Sequence, residues 1–277
     1  GTILLYDFAT YAVAKTLLAT AAHPEQAEIT ALSFTRSSRR LLSADVAGAL
    51  IMWDVLNGLP IATTSLGAPV TSAMMHPRKR RCSLVCTAPT EGRRARVYLQ
   101  FWEALLPVKE LEVRDHGGDE PSASARREPP IVARFDALGE RVLIAVGAGV
   151  LQLSSVDSGE ILASMEVAGG APAKSLAWSR NERSFLVNSS DRVIRVFTTA
   201  QLLEGGKATG RELQDSVNRT AWSYACFSTD SDHVIASADG GALKVYIWDL
   251  HGQLKKMLDG GRLVAATSFV CHPTRPI

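Results

Sequence analysis

Residues 212–277 read ELQDSVNRTAWSYACFSTDSDHVIASADGGALKVYIWDLHGQLKKMLDGGRLVAATSFVCHPTRPI. An apolar run with aromatics, Ala221 to Phe227, meets the polar turn Ser228-Thr229-Asp230-Ser231-Asp232. A second run, His233 to Ala238, leads to Gly240-Gly241. A third closes on Trp248-Asp249, a fourth spans Gln253 to Leu258, and the cycle restarts at Leu263. Short runs of β-formers, each ended by Gly, Asp or Ser, are strands joined by hairpins.

The same cycle recurs upstream. The ends of successive third runs fall at Asp7, Asp54, Glu103, Ser155, Thr198 and Asp249, at spacings of 47, 49, 52, 43 and 51 residues. Four short strands closing on Trp-Asp, with a period a little above ~40–45, are the pattern of a WD40 blade. The fold expected is therefore all-β, a WD40 β-propeller forming one domain over 1–277. Residues 1–18 supply a partial first blade, Ile3 to Asp7 and Ala14 to Leu18. Five full blades follow. The first has Ile29 to Phe34, Arg40 to Ser43, Ala49 to Asp54 and Pro60 to Thr64. The next starts at Val70 and continues with Cys82 to Cys86, Arg96 to Phe101 and Val108 to Val113. The third runs from Ile131 to Val167, and the fourth holds Lys174 to Trp178, Ser184 to Asn188 and Val193 to Phe197. Leu202 to Arg211 reads as a linker or excursion before the blade quoted first. Leu263 begins the last blade. Residues 114–130, RDHGGDEPSASARREPP, carry almost no apolar residue and read as a mobile loop. No run of 10–15 residues keeps a 3.6 period, which argues against helical architectures. Gly1 falls within a strand pattern, so the chain reads as a piece of a longer one, with incomplete first and last blades and an unpaired sheet edge.

With 46% hydrophobic residues among 277, the chain can bury a sizeable core. A net charge of +2 excludes a globally polybasic nucleic-acid binder, so such contacts must come from local patches. The four cysteines, Cys82, Cys86, Cys226 and Cys271, have neither disulfide-framework nor zinc spacing and read as reduced core thiols. No apolar run approaches the ~18 residues of a membrane span, and no signal peptide is visible. Nucleophile elbow, phosphate-binding glycine loop and zinc-protease helix are all missing, so no enzyme, cofactor, metal or small-molecule substrate is expected. Asp230 and Asp232 form a carboxylate pair, but in a turn, where Asp serves local hydrogen bonding. The basic run Arg78-Lys79-Arg80-Arg81 follows His76-Pro77, and Arg93, Arg94 and Arg96 lie in the next turn of the same blade. Arg39-Arg40 and Arg126-Arg127 add to these. Arg78 to Arg81 read as a solvated loop, a nuclear-localisation signal or a contact to phosphates. The two turns of that blade open on opposite faces, so their arginines form no single patch.

Many WD40 blades pin a turn with an Asp six residues before the Trp position, paired with a His before the first strand. Asp191 alone keeps this spacing, before Phe197; Ala47 and Ala242 stand there before Trp53 and Trp248. His23 occupies the histidine position of a blade that lacks the Asp. Trp53, Asp54, Asp191, Trp248 and Asp249 are thus expected to be structural, with the degenerate blades held by apolar packing.

The wording is more specific than the repeat. LQDSVNRTAW, CFSTDSD, YIWD and HPTRPI, with ILLYDFATYAVAK (3–15), MWDVLNG (52–58) and LVNSSDRVIRVF (186–197), resemble the retinoblastoma-binding protein 5 family. These are WD-repeat scaffold subunits of COMPASS/MLL histone H3 lysine 4 methyltransferase complexes. The resemblance implies seven blades in the full protein and a nuclear, non-catalytic scaffold. Its partners would be the SET-domain methyltransferase subunit, another WD-repeat subunit and the nucleosome, with no membrane. It also implies that Arg219 and Arg262 approach nucleosomal DNA, although the turn Asp239-Gly240-Gly241 has no arginine. A segment beyond the propeller carries the family's activating role and lies outside this sequence. The rival reading is a generic WD40 adaptor in a ubiquitin ligase or RNA-processing assembly.

Overall fold

The computed structural model describes residues 2–7, 9–18, 28–91, 93–103, 108–113, 131–147, 149–215, 220–238 and 244–260. The chain divides into two compact units, one carrying the first ten strands and the other the rest.

In the first unit, β1 (Thr2–Tyr6) and β2 (Val13–Leu18) form an antiparallel pair. β3 (Ile29–Phe34), β4 (Arg40–Asp45), β5 (Ala49–Asp54) and β6 (Leu59–Ser65) form a four-stranded sheet in sequence order. β7 (Val70–Met75), β8 (Cys82–Thr87), β9 (Val97–Phe101) and β10 (Val108–Leu111) repeat it. The second and third strands are the most apolar, and they are buried on both faces: β4 and β5 hide nearly every residue, whereas β6 is largely exposed. That gradient arises because each sheet is sandwiched between its neighbours. Leu42, Leu50 and Met52 pack against Val70, Met75 and Val85 of the next sheet, and Ile3 and Leu17 pack against Leu41, Ile51 and Trp53.

In the second unit, β11 (Val132–Phe135), β12 (Arg141–Val146), β13 (Val150–Ser155) and β14 (Ile161–Val167) follow the same order, as do β15 (Ala173–Trp178), β16 (Ser184–Ser189) and β17 (Ile194–Thr198). Of the two readings of 202–211, linker or excursion, the structure shows a structured excursion. Thr198 caps the short helix α1 (Thr199–Glu204), its hydroxyl accepting from the Gln201 N–H while the Gln201 side chain accepts from the Thr198 N–H. Leu202 is buried in the preceding sheet's core. Gly205 and Gly206, both at positive φ, turn the chain into β18 (Gly206–Ala208), which pairs parallel with β14 as a fifth strand. β19 (Arg211–Leu213) then returns antiparallel to β17 and completes the sheet. These strands carry no alternating pattern, being three residues long with Leu213 their one large apolar residue. The last described sheet is β20 (Trp222–Phe227), β21 (His233–Ala238), β22 (Lys244–Asp249) and β23 (Leu254–Asp259).

The repeat extends to its irregularities. Pairing of first and second strands shifts register at Ile29/Ala31, Val70/Ser72, Ala173/Ser175 and Trp222/Tyr224. Pairing of third and fourth strands shifts at Leu5/Tyr6, Met52/Trp53, Leu153/Ser154 and Ile247/Trp248, next to the Trp-Asp position. Bulges at fixed places add twist, as blades packed face to face require. Leu263 and the loop 114–130 lie outside the described residues.

Candidate functional site

The turns carry exposed cations and backbone donors, and those between first and second strands share one construction. The residue after the first strand is Thr35, His76, Asp136, Ser179 or Ser228. Its N–H donates to the carbonyl of the residue opening the second strand: Arg40, Cys82, Arg141, Ser184 and His233. Its side chain accepts a backbone N–H from within the turn. Thr35 Oγ1 takes Arg40 N at 3.2 Å, Ser179 Oγ takes Ser184 N at 3.0 Å and Asp136 Oδ1 takes Glu140 N at 2.9 Å. Four of these turns also place a residue at positive φ, Ser38, Gly139, Glu182 or Ser231. The His76 turn is one residue longer and has none. The buried His76 compensates, its Nδ1 accepting from Arg78 N at 3.0 Å and Lys79 N at 2.9 Å. This pattern needs a neutral imidazole with its proton on Nε2. It also holds the basic run in a defined shape.

Arg78, Lys79, Arg80 and Arg81 are all exposed on that turn, and Arg36 and Arg39 are exposed on the neighbouring one, beside half-buried Arg40. Glu103 links the turns, with Oε2 2.6 Å from Arg81 and Oε1 3.8 Å from Arg40. Arg39, Arg40 and Arg80 rim a groove of about 1090 Å³ whose walls include Leu4, Tyr6, Phe34, Leu56 and Ile61. The turn between β8 and β9 carries Arg93, Arg94 and Arg96, at the opposite end of those strands, and Arg96 is paired with Glu110 at 2.6 Å. Arg126 and Arg127 lie outside the described residues.

The Trp-Asp positions act on the adjoining turns. Trp53 is buried and its Nε1–H donates to Ser43 Oγ at 2.8 Å; Trp102 likewise reaches Ser83 Oγ at 3.1 Å. Asp45, fully buried, accepts from Ala47 N and Ala49 N at 3.0 and 2.8 Å. The expectation that this blade relies on apolar packing is therefore corrected: its turn is pinned by an Asp eight residues before Trp53, a spacing the six-residue rule misses. Trp248 has Ala236 where the partner serine would lie, and it stacks on Tyr246 at 5.5 Å and meets Trp222 edge-on at 5.1 Å. Asp54 Oδ1 accepts from Leu56 N and Asn57 N. Those bonds, that to Asn57 N first, hold its carboxyl below the usual range. Asp249 Oδ1 accepts from His251 N and Gln253 N, and Lys255 Nζ lies 2.9 Å from its Oδ2. The Lys255 hydrogen bond is the main cause lowering Asp249 to about 2. Asp191 accepts from Val193 N at 3.2 Å and pairs with the buried Arg195 at 2.7 Å, an arginine of the third strand rather than the histidine before the first strand that the repeat pattern anticipates.

Asp230 is lowered by its Ser228 hydroxyl bond first and then by the Asp232 N–H, the local turn chemistry anticipated for it. Arg219 and Arg262 lie outside the described residues, as do His23 and Cys271. Asp215 and Thr220, the nearest described residues on either side of Arg219, are tied: Asp215 Oδ2 accepts from Tyr246 Oη at 2.9 Å and from Thr220 Oγ1 at 3.4 Å. Cys82, Cys86 and Cys226 are in no disulfide, and burial pushes Cys82 up to about 11. Among the described residues no group of three or more His, Cys, Asp or Glu could hold a metal ion, and no helix is long and apolar enough to cross a membrane. Such a site presents donors and cations on rigid turns, which suits binding.

No protein-family model matches the chain. It is similar over its whole length to the retinoblastoma-binding protein 5 homologue of Drosophila melanogaster, at 33% identity, and to Protein RBL of Arabidopsis thaliana, at 30%. The Set1 complex component swd1 of Schizosaccharomyces pombe is 26% identical over 94% of the chain. The chain spans 54%, 56% and 63% of the lengths of these relatives. Its fold matches the β-propeller domain of Myceliophteria thermophila Cps50 (Swd1) with a TM-score of 0.78 at 27% identity, covering 95% of this chain and 81% of that one. The fold is a WD40 β-propeller.

Proposed function

We propose, on the premise that this chain is homologous along its whole length to the retinoblastoma-binding protein 5 and Swd1 proteins, that it is the scaffold of a COMPASS-like complex. It docks the SET-domain subunit and a second WD-repeat subunit of a histone H3 lysine 4 methyltransferase, in the nucleus, and carries out no transfer itself. The observation that carries this reading is similarity at 33% identity that covers the whole chain. Function on a propeller resides in its turns. Pinned turn backbones, as at His76 and Asp45, and paired loop stems, as at Asp215, give the rigidity that docking without chemistry needs. The run Arg78 to Arg81, held open by His76, serves as a nuclear-localisation signal.

In the same reading Arg219 and Arg262 donate to nucleosomal phosphates without reading sequence. Each contact releases condensed counterions, so two contacts give a slope of roughly −2 in log–log salt dependence. The test is a salt titration of nucleosome binding by the assembled complex with Arg219→Ala and Arg262→Ala. Each variant should lower the slope by about one and weaken all DNA sequences alike. Unchanged slopes in both would remove these arginines from the site.

A further inference from the structure

We propose that the face formed by the β3–β4 and β7–β8 turns binds an acidic peptide segment of a partner protein, one that also carries apolar side chains. The inference rests on this surface alone and not on the family reading.

The charge is concentrated. Arg36, Arg39, Arg40, Arg78, Lys79, Arg80 and Arg81 occupy two adjacent turns, whereas the whole chain has a net charge of only +2. Glu103 ties Arg40 to Arg81, and Met75 N donates to Ser33 Oγ at 2.9 Å between the first strands, so the turns are held side by side. His76 then braces the backbone of the longer turn from beneath. Glu103 partners Arg40 and Arg81, and Arg81 remains about half exposed. Such a field attracts and orients an anionic partner.

The groove selects the class of anion. Its walls beside Arg39 and Arg80 include Leu56, 81% exposed, with Tyr6, Phe34 and Ile61 each at least 47% exposed. A phosphodiester backbone gains nothing from Leu56 or Ile61, whereas apolar side chains of a peptide bury that surface while flanking carboxylates reach the guanidinium groups. Arginine rather than lysine dominates the rim, in keeping with bidentate carboxylate recognition.

The experiment compares three probes of equal charge by fluorescence anisotropy, on the 277-residue chain and on a longer form with the flanking residues that its relatives have. They are a peptide alternating Glu and Leu, a peptide alternating Glu and Ser, and a single-stranded oligonucleotide. The Glu/Leu peptide should bind both proteins, at least about tenfold more tightly than the other two probes. Arg80→Glu and Arg39→Glu, exposed substitutions checked by circular dichroism, should each weaken it about tenfold, and Leu56→Ser should abolish its advantage over the Glu/Ser peptide. Equal or tighter binding of the oligonucleotide would assign the face to nucleic acid and overturn the proposal. Indifference to Arg80→Glu, or binding by the short chain only, would overturn it too; the latter result means that the protein's own strands fill the groove.

Discussion

Replacing Ser43 with alanine should destabilise the protein more than any loss of volume explains. Trp53 and Ser43 are both buried, and the indole N–H has its acceptor 2.8 Å away in the serine hydroxyl. Alanine removes that acceptor and leaves the N–H without the bond. An orphaned buried donor costs about 1–3 kcal/mol, whereas removing both partners of a neutral hydrogen bond is nearly free. The two effects separate in a double-mutant cycle of Ser43→Ala and Trp53→Phe. Phenylalanine keeps a ring but has no N–H, so the cavity cost of truncating Trp53 falls on one leg of the cycle and cancels. Other contacts of Ser43 are lost in both backgrounds and cancel as well. We expect Ser43→Ala to cost about 2 kcal/mol in the native background, a fall in Tm of about 4–8 °C at ~2–4 °C per kcal/mol. In the Trp53→Phe background it should cost about 1–2 kcal/mol less. Thermal and urea melts followed by far-UV circular dichroism measure both legs. Equal costs in the two backgrounds would refute the claim that this pair pins the blade.

Further outcomes follow from the same geometry. Gly48 sits at φ +91° with its absent Cβ only 2.5 Å from the Ala68 carbonyl oxygen, so Gly48→Ala should cost about 1–3 kcal/mol or more in urea titration, well beyond Gly169→Ala, where nothing lies within 4 Å. Burial holds the Cys82 proton up to about 11 against an ordinary 9.0, so the native state binds that proton more tightly. Stability from this source is complete below pH 9 and is lost as pH rises through 11, about 2–3 kcal/mol in all. Cys82→Ala should flatten that alkaline limb of the melting profile. Asp249 shows the opposite sign: its contribution is complete above the ordinary 3.8 and is lost as pH falls towards about 2. Lys255→Ala removes the main cause, so an NMR titration should find the Asp249 carboxyl shifted up towards its ordinary value.

The blades were legible in the sequence because each buries its second and third strands in short apolar runs ended by turn residues, and those runs repeat at an even spacing. Boundaries moved by one or two residues, as with β4, which continues through Ala44 and Asp45. Two elements were illegible for a physical reason. β18 and β19 gain their place from backbone pairing to β14 and β17, which leaves no side-chain period to read. The pinning Asp45 was hidden because its spacing to Trp53 departs from the commonest form, although the pair of turn N–H groups it accepts is an ordinary requirement of a buried turn. The basic turn was visible as composition. What the sequence could not convey was that Arg39, Arg40 and Arg80 share one groove, since that depends on two sheets lying side by side.

The scaffold reading rests most directly on one reconstitution. The chain is mixed with the SET-domain subunit and the partner WD-repeat subunit and passed over a sizing column, and each fraction is assayed for transfer of label from S-adenosylmethionine to histone H3. The expected result is co-elution of the chain with both subunits, label transfer in that fraction, and none by the chain alone. Elution of the chain apart from both subunits, or label transfer by the pure chain, would contradict it.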